Sequence, residues 1–306
     1  MINNPVASGD NRSSAFWIIA NMCIDNDNTR NALIAEPLLL SGMRMQTDPV
    51  LVQDVYYLWN FLMANPPFPM PEHIQVIWNS LPYTQDDSNL TLLRRGVMRL
   101  VKSSALYQEW AFRNPDVMRV MSNVAAFYGC LIKHNELRDI TLQQGMLDTL
   151  CNFLNDFNIE NRIWALLALT NLTKHVPNQI LAHRFIIERV IEMIRAVDEN
   201  RVQHELYYFI IHLLANSETA RIMLIEKDVM CVFASLFESV IMREDVPLMH
   251  DGMGVLLDLF HAYPHCMQRF EELGGRESVE MFEFSDSQDL LLRADKICTL
   301  LGAPPK

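Results

Sequence analysis

Aromatic and amide side chains placed four residues apart are the most chemically suggestive feature of this 306-residue sequence. The clearest pair is Trp17 and Asn21, and the same spacing returns at Tyr56 and Asn60. Side chains four residues apart lie on one face of a helix. An asparagine amide both donates and accepts hydrogen bonds, so it can hold the backbone of an extended peptide. An aromatic ring beside it attracts a cation with about 0.5–2 kcal/mol. This is chemistry for binding a peptide.

Motifs for catalysis or metal binding are missing from the sequence. His261, His265 and Cys266 have metal-ligand spacing, but Pro264 interrupts the helix that would align them. The segment Gly252-Met253-Gly254 lacks the third glycine of a dinucleotide-binding loop. We find no serine–histidine–aspartate arrangement, no nucleophile elbow and no HExxH motif. The sequence therefore predicts no catalytic residues, no metal site and no cofactor, and a protein that is not an enzyme.

Charge and composition narrow the class of partner. Acidic residues number 37 against 25 basic ones, which gives a net charge of −12. Such a surface repels phosphate backbones and attracts basic peptides, although acidity also serves solubility alone. No apolar run reaches the roughly 20 residues that span a bilayer. The six cysteines are scattered, which is typical of reduced thiols in the cytosol or nucleus. We expect a soluble intracellular protein with protein partners, and neither nucleic acid nor membrane.

A repeat with a period near forty residues organises the chain. A short turn followed by an amphipathic helix recurs, with the second residue of each turn at positions 145, 185, 228 and 274, in steps of 40, 43 and 46 residues. Armadillo and HEAT repeats have periods in this range, with two or three helices in each unit. Each turn is followed by a short apolar segment, a polar break and a longer, more apolar helix, as over 161–173 and 203–214. A helix that is apolar on most sides must be sandwiched between neighbours, so the units must stack.

The fold predicted from these features is all-α, a right-handed α-solenoid of armadillo-type three-helix repeats. We expect residues 1–12 to be disordered or partly ordered, residues 13–301 to form the repeat array, and residues 302–306 to form a tail. The first third is less regular because Pro66, Pro67, Pro69, Pro71 and Pro82 interrupt its helices.

Several segments resemble importin-α (karyopherin-α) armadillo repeats in their order along the chain. The segment 16–21, Phe-Trp-Ile-Ile-Ala-Asn, is similar to that family's Trp-x-x-x-Asn helix, and 28–34 is similar to the opening of the following repeat. Asn60-Phe61 with 65–68 resembles the proline-bearing fourth repeat, and 270–300 resembles the last one. The resemblance implies that the third helices line a concave groove that holds an extended basic peptide, with carboxylates pairing its cations.

Carrying the family's pattern over residue by residue implies a set of peptide-binding positions. The aromatic–asparagine pair is complete at Trp17 and Asn21 and becomes Tyr56 and Asn60 in the next unit. It is absent where the equivalent helices run through Val97 and through 126–130. It returns in part in the later units, where an acidic residue stands at a position that is often acidic in the family's groove. The implied peptide-binding residues are Trp17, Asn21, Tyr56, Asn60, Trp164, Asn171, Glu205, Tyr208 and His212.

The resemblance also has gaps that bear on function. The order of the matched segments implies that the family's first two repeats have no counterpart here. The resemblance also leaves no counterpart for the arginine-rich importin-β-binding segment, since residues 1–12 contain one basic residue. Our first hypothesis is therefore an importin-α-like adaptor of the nucleus and cytoplasm that binds basic, nuclear-localisation-like peptides without its own importin-β-binding segment. Nuclear import and protein transport would follow from that role.

The second hypothesis is a repurposed armadillo scaffold. Its groove has decayed, and it assembles a protein complex through other surfaces. The aromatic–asparagine pairs lost at Val97 and Ala126 favour this hypothesis. An uncapped amino-terminal repeat would leave apolar surface in water, so we also expect self-association through that end.

Overall fold

The computed structural model confirms an all-α fold. It describes residues 8–24, 27–34, 36–44, 46–64, 66–196 and 199–302. Helices joined by turns make up these ranges, and none of them contains a strand. Contacts divide the chain into unit 1 (Met1–Asp139) and unit 2 (Ile140–Lys306).

The predicted domain limits stay predictions. Residues 1–7 of the expected segment 1–12 and residues 303–306 of the expected tail lie outside the described ranges. The first helix begins at Gly9, within the expected segment.

Three long helices and a short fourth one lie in a row in unit 1. The helix of residues 9–24 packs against that of residues 49–62, which packs against that of residues 87–103, and a short helix over 125–131 follows. We call these four the long-helix row of unit 1. The helices of this unit are α1 (Gly9–Ile24), α2 (Asp27–Ile34), α3 (Pro37–Arg44), α4 (Pro49–Leu62), α5 (Pro71–Asn79), α6 (Asp87–Ser103), α7 (Ala105–Arg113), α8 (Pro115–Met121) and α9 (Ala125–Leu131), and α10 (Asn135–Gln143) runs across the limit to the next unit.

Unit 2 repeats a three-helix pattern more regularly. Its long-helix row consists of α12, α15, α18 and α21, each packed against the next, and shorter helices precede each member. The elements are α11 (Met146–Leu154), α12 (Ile159–Thr173), α13 (Pro177–Ala182), α14 (Arg184–Arg195), α15 (Asn200–Asn216), α16 (Glu218–Glu226), α17 (Met230–Glu238), the 3₁₀-helix η1 (Met242–Glu244), α18 (Val246–Ala262), α19 (His265–Glu272), α20 (Gly275–Glu280), the 3₁₀-helix η2 (Met281–Phe284) and α21 (Gln288–Leu300).

Local sequence explains where many helices begin. Asp48, Asp86, Asn158, Asp245 and Ser287 each accept a backbone N–H of the following first turn, as helix-capping side chains do. Proline occupies the first turn of several helices, where its missing N–H costs nothing. Of the prolines expected to interrupt helices in the first third, Pro71 begins α5.

Three of the four predicted turns share one backbone conformation. Gly145, Asp228 and Gly274 have φ values of 86°, 62° and 75°, and each lies just before the second helix of a repeat. Phe185 is the exception, because α14 already begins at Arg184. The left-handed region favours glycine, so the two glycines hold this turn without strain.

Hydrogen bonds that side chains make to neighbouring repeats support the stacking. Their partners are 35 to 45 residues apart, close to the period read from the sequence. They link Asn60 to Arg99, Phe68 to Tyr107, Gln75 to Trp110 and Asn114, Asp148 to His183, Glu160 to Arg201, Asn178 to Ser217, His204 to Asp245, Glu218 to Tyr263, Asp228 to Arg269 and His250 to Arg293.

Long helices are buried on most sides, as the stacking requires. In α15, Leu206, Phe209, Ile210, Leu213 and Leu214 are buried. In unit 1, Trp59 fills the centre of α4 and meets Trp78 edge to face. None of the described helices has both the length and the apolar character needed to cross a membrane.

Candidate functional site

A connected group of polar side chains lies in unit 2, where α15 faces the beginning of α18. Glu205, Tyr208 and His212 occupy one face of α15 because they follow helical spacing. His204 lies between two carboxylates: its Nδ1 is 3.1 Å from Oε1 of Glu205 and its Nε2 is 2.6 Å from Oδ2 of Asp245. Three of the predicted residues therefore meet here, together with two that the sequence analysis missed.

The histidine and its carboxylates stabilise each other's charged forms. The hydrogen bond to Glu205 and that to Asp245 raise the pKa of His204, against the opposing effect of burial. Burial alone would raise the pKa of Asp245, but the Leu248 N–H and His204 outweigh it and hold that pKa below its ordinary value. Because both ring nitrogens face carboxylate oxygens, the doubly protonated imidazolium satisfies both contacts.

Two aromatic rings of α15 extend this cluster along the helix. The Tyr208 hydroxyl donates to the Asp245 carboxylate at 3.3 and 3.4 Å, and burial followed by the charge of Asp245 raises the pKa of Tyr208. The His212 ring stacks on that of Tyr208 with centroids 6.1 Å apart and an angle of 18°. Burial and Lys174 lower the pKa of His212, which favours the neutral imidazole at pH 7. Both rings are half-buried and keep part of their surface open.

A cavity of about 590 Å³ opens beside these residues within unit 2. Its lining has three carboxylates, one arginine and one histidine among its charged or titratable groups, and Arg201 is already paired with Glu160 at 2.7 Å. An additional cation can therefore be accommodated here. The lining residues are Ile163, Asn200, Arg201, His204, Glu205, Ile241, Met242, Glu244, Asp245 and Pro247.

Exposed asparagines flank the cluster on the long-helix row. Asn171 on α12 donates from Nδ2 to the Leu167 carbonyl at 3.0 Å, which turns its amide along the helix surface. Asn216 on α15 makes the same bond to His212 at 2.7 Å, and His261 on α18 bonds the Leu257 carbonyl through Nδ1 at 2.7 Å. The sequence analysis missed Asn216, although its 45-residue distance from Asn171, repeated at His261, was a usable signal. Trp164, on α12, is half-buried.

In unit 1, Trp17 and Asn21 lie on one exposed face of α1. The Trp17 side chain is 67% exposed, and Asn21 donates from Nδ2 to the Trp17 carbonyl at 2.8 Å. This is the bond that Asn171 and Asn216 make in unit 2. The two residues are therefore available at the surface, as a binding role requires.

The prediction for Tyr56 is wrong. Its side chain is 2% exposed, and its hydroxyl donates to the Pro82 carbonyl. Burial raises the pKa of Tyr56 to about 12. The ring packs inside unit 1 and offers no π face to a peptide, while the adjacent Tyr57 is 44% exposed.

Asn60 is half-buried, and its oxygen atoms are already engaged. Arg99 of α6 donates from Nη1 to the Asn60 carbonyl at 3.0 Å and to Oδ1 at 3.1 Å. The position on α6 that corresponds to Asn60 is thus Arg99, whereas Val97 is wholly buried in the core. A guanidinium at this place repels a basic peptide.

Within the described ranges, no three histidine, cysteine or acidic side chains converge as metal ligands do. None of the six cysteines forms a disulfide, and all except Cys231 are buried.

Comparison with known proteins identifies the fold. No protein-family model matches this chain, and no curated protein matches it. Among solved structures, an engineered protein superposes with a TM-score of 0.65 at 14% identity over 97% of this chain and 76% of its own. A structure of computationally designed armadillo repeat proteins for modular peptide recognition superposes with a TM-score of 0.50 at 14% identity, over 89% of this chain and 98% of its own. Together with the stacked three-helix units, the latter likeness shows an armadillo-like repeat fold.

Proposed function

We propose that this chain is a non-catalytic, protein-binding repeat scaffold whose unit 2 holds an extended peptide with a lysine or arginine beside α15. One observation carries the proposal: Glu205, Asp245 and the Tyr208 ring converge next to the cavity. Carboxylates pair an ammonium or guanidinium, and a tyrosine ring attracts the same cation.

Amides on the long-helix row would hold the peptide backbone. Asn171 and Asn216 are exposed, and each uses one N–H for a bond within its own helix. The amide oxygen and the second N–H of each side chain remain suited to a peptide N–H and carbonyl. Backbone contacts of this kind accept many sequences, so the acidic cavity would supply the selectivity.

Two finer statements belong to the same proposal. The basic segment would be of the nuclear-localisation type, and the chain would be a divergent relative of importin-α that acts in the nucleus and cytoplasm. Support for this reading comes from the Trp17–Asn21 pair and from the acidic cluster of unit 2. The likeness to computationally designed armadillo repeat proteins for modular peptide recognition is compatible with it.

Replacement of Asp245 by asparagine tests the unit 2 site. Asparagine keeps the helix cap, because its side-chain oxygen accepts the Leu248 N–H as Asp245 does at 3.0 Å. We expect Asp245→Asn to weaken binding of a fluorescent Lys/Arg-rich peptide by about tenfold in an anisotropy titration. Asp295→Asn, which changes an exposed aspartate on α21, is the matched control and should bind as the wild type does. Absence of micromolar, salt-sensitive binding to the wild type would refute the proposal.

A second candidate function has its own support. In unit 1, Tyr56 is buried and Asn60 is engaged by Arg99, so a basic-peptide ladder is interrupted there. A scaffold that recruits partners through other surfaces would use exposed apolar side chains such as Trp17 and Ile18 instead. Partners captured by the wild type should then be lost in Trp17→Ser and kept in Asp245→Asn. Self-association through this end is a further proposal, and a clean monomer in light scattering at tens of micromolar would contradict it.

A further inference from the structure

Unit 1 carries arginines at the positions where the preceding helices carry an aromatic residue and an asparagine. Trp17 and Asn21 of α1 are followed, 39 residues later, by Tyr56 and Asn60 of α4. Another 39 residues lead to Arg95 and Arg99 of α6. The hydrogen bonds from Arg99 to Asn60 confirm that this register is also the spatial one.

The two arginines belong to a longer basic face of α6. Arg95, Arg99 and Lys102 follow i, i+4, i+7 spacing and lie on one side of the helix. Arg95 and Lys102 are exposed, and Arg99 is half-buried. Lys102 and Lys133 both lie near Cys130 of α9. Their positive charges therefore lower the pKa of that thiol, against the larger effect of burial. We call Arg95, Arg99 and Lys102 the basic face.

Within the described ranges, carboxylates do not neutralise the two arginines. Among the residues that the structure describes, no acid forms an ion pair with Arg95 or Arg99, and the bonds of Arg99 go to neutral oxygens of Asn60. Burial and then the charge of Arg95 hold the pKa of Arg99 below its ordinary value. Two exposed arginines of unit 1 differ, since Arg113 pairs with Glu109 at 2.5 Å and Arg119 with Asp116 at 3.0 Å.

We propose that the basic face is a docking surface for an acidic, Asp/Glu-rich segment of a partner protein. Two guanidiniums one turn apart match successive carboxylates, which arginine binds in a bidentate manner. The net charge of −12 repels every anion, but it repels a long phosphate backbone more than a short acidic segment that contacts only the basic face, so a nucleic acid is the less favourable ligand. This surface selects a charge opposite to that proposed for unit 2 and is independent of that site.

Titration with a fluorescent Asp/Glu-rich decapeptide tests the proposal on the full chain. We expect binding that weakens as salt is added and falls by about tenfold or more in Arg95→Gln and in Arg99→Gln. Arg113→Gln, at an exposed arginine of the same unit, is the matched control and should bind as the wild type does. Asp245→Asn should also leave this binding unchanged, which separates the outcome from that of the unit 2 proposal.

Three results would overturn the proposal. The first is a failure of the acidic peptide to bind, and the second is binding that Arg95→Gln leaves intact. The third is a single-stranded oligonucleotide that binds more tightly than the peptide and depends on the same arginines. Circular dichroism melts check that the variants fold. Because Arg95 is exposed, its replacement stays informative even where Arg99→Gln loses contacts to Asn60.

Discussion

His204 is the residue whose charge controls the acidic cluster of unit 2. It lies within hydrogen-bond distance of Glu205 and Asp245, and its pKa is raised in the folded protein, first by the bond to Glu205. When protonated it neutralises part of the charge that a peptide cation would otherwise meet. The same proton thus stabilises the fold and competes with the proposed ligand.

Stability and peptide affinity should respond to pH in opposite directions. The raised pKa means that the stabilisation from His204 is complete below its unfolded value of 6.5 and is lost as pH rises through the folded value. Urea unfolding between about pH 6 and 9 should therefore show a decline that His204→Gln abolishes. Lys/Arg-rich peptide should bind more tightly over the same interval.

His175→Gln is the control for this pH dependence, because His175 is an exposed histidine of the same unit. It should keep the wild-type profile. Asp245 contributes in a separate window: its lowered pKa gives stability that is lost only as pH falls through the folded value. An unchanged profile in His204→Gln would contradict the role given to this histidine.

Asn216 should matter as much as Asn171 for peptide binding. Both amides are exposed on the long-helix row and make the same bond to the carbonyl four residues earlier. We expect Asn171→Ala and Asn216→Ala each to weaken Lys/Arg-rich peptide binding about tenfold, measured by anisotropy. Asn152→Ala, at an exposed asparagine of α11, should have no effect. A loss limited to Asn171 would assign the peptide to α12 alone.

At the scale of elements, the turns between helices set the repeat. Gly274 has φ of 75°, a conformation that costs an L-residue about 1–2 kcal/mol. Gly274→Ala should therefore lower the free energy of unfolding by roughly that amount, measured by urea denaturation. Gly129→Ala provides the contrast, because Gly129 is helical, an added Cβ meets nothing within 4 Å, and alanine favours a helix by about 0.5–1 kcal/mol. Equal effects of both changes would show that the turn conformation is unimportant.

Helices and turns that follow the repeat period of about forty residues could be predicted from the sequence. The helix expected over 161–173 is α12 (Ile159–Thr173), and the turns at Gly145, Asp228 and Gly274 recur as expected. Apolar spacing decides these features within one repeat, so no distant contact is needed to find them.

Contacts between repeats could not be predicted in the same way. Asp245 reaches His204 across 41 residues, and a cap before a helix carries no sign of that partner in the sequence. Tyr56 and Tyr57 are neighbours about 100° apart around a helix, so a shift of one position moves a ring from the core to the surface. The structure buries Tyr56 and exposes Tyr57.

At the scale of the molecule, acidity and local pairing play different roles. The net charge of −12 acts on a basic peptide at long range, whereas Asp245 acts on it in contact. In stopped-flow measurements we expect added salt to slow association of the peptide and to change dissociation much less. Asp245→Asn should dissociate faster yet keep a salt-dependent association rate. If the association rate of Asp245→Asn no longer depended on salt, the charge that attracts the peptide at long range would be that of the site and not that of the whole protein.

Photo-crosslinking tests the central claim most directly. A Lys/Arg-rich peptide with a photoreactive residue beside its central lysine would be bound to the full chain, irradiated and mapped by mass spectrometry. The account predicts crosslinks on α15 and the start of α18, around Glu205, Tyr208 and Asp245, and their loss in Asp245→Asn. Crosslinks confined to unit 1, or equal in number to those of an Asp/Glu-rich control peptide, would contradict it.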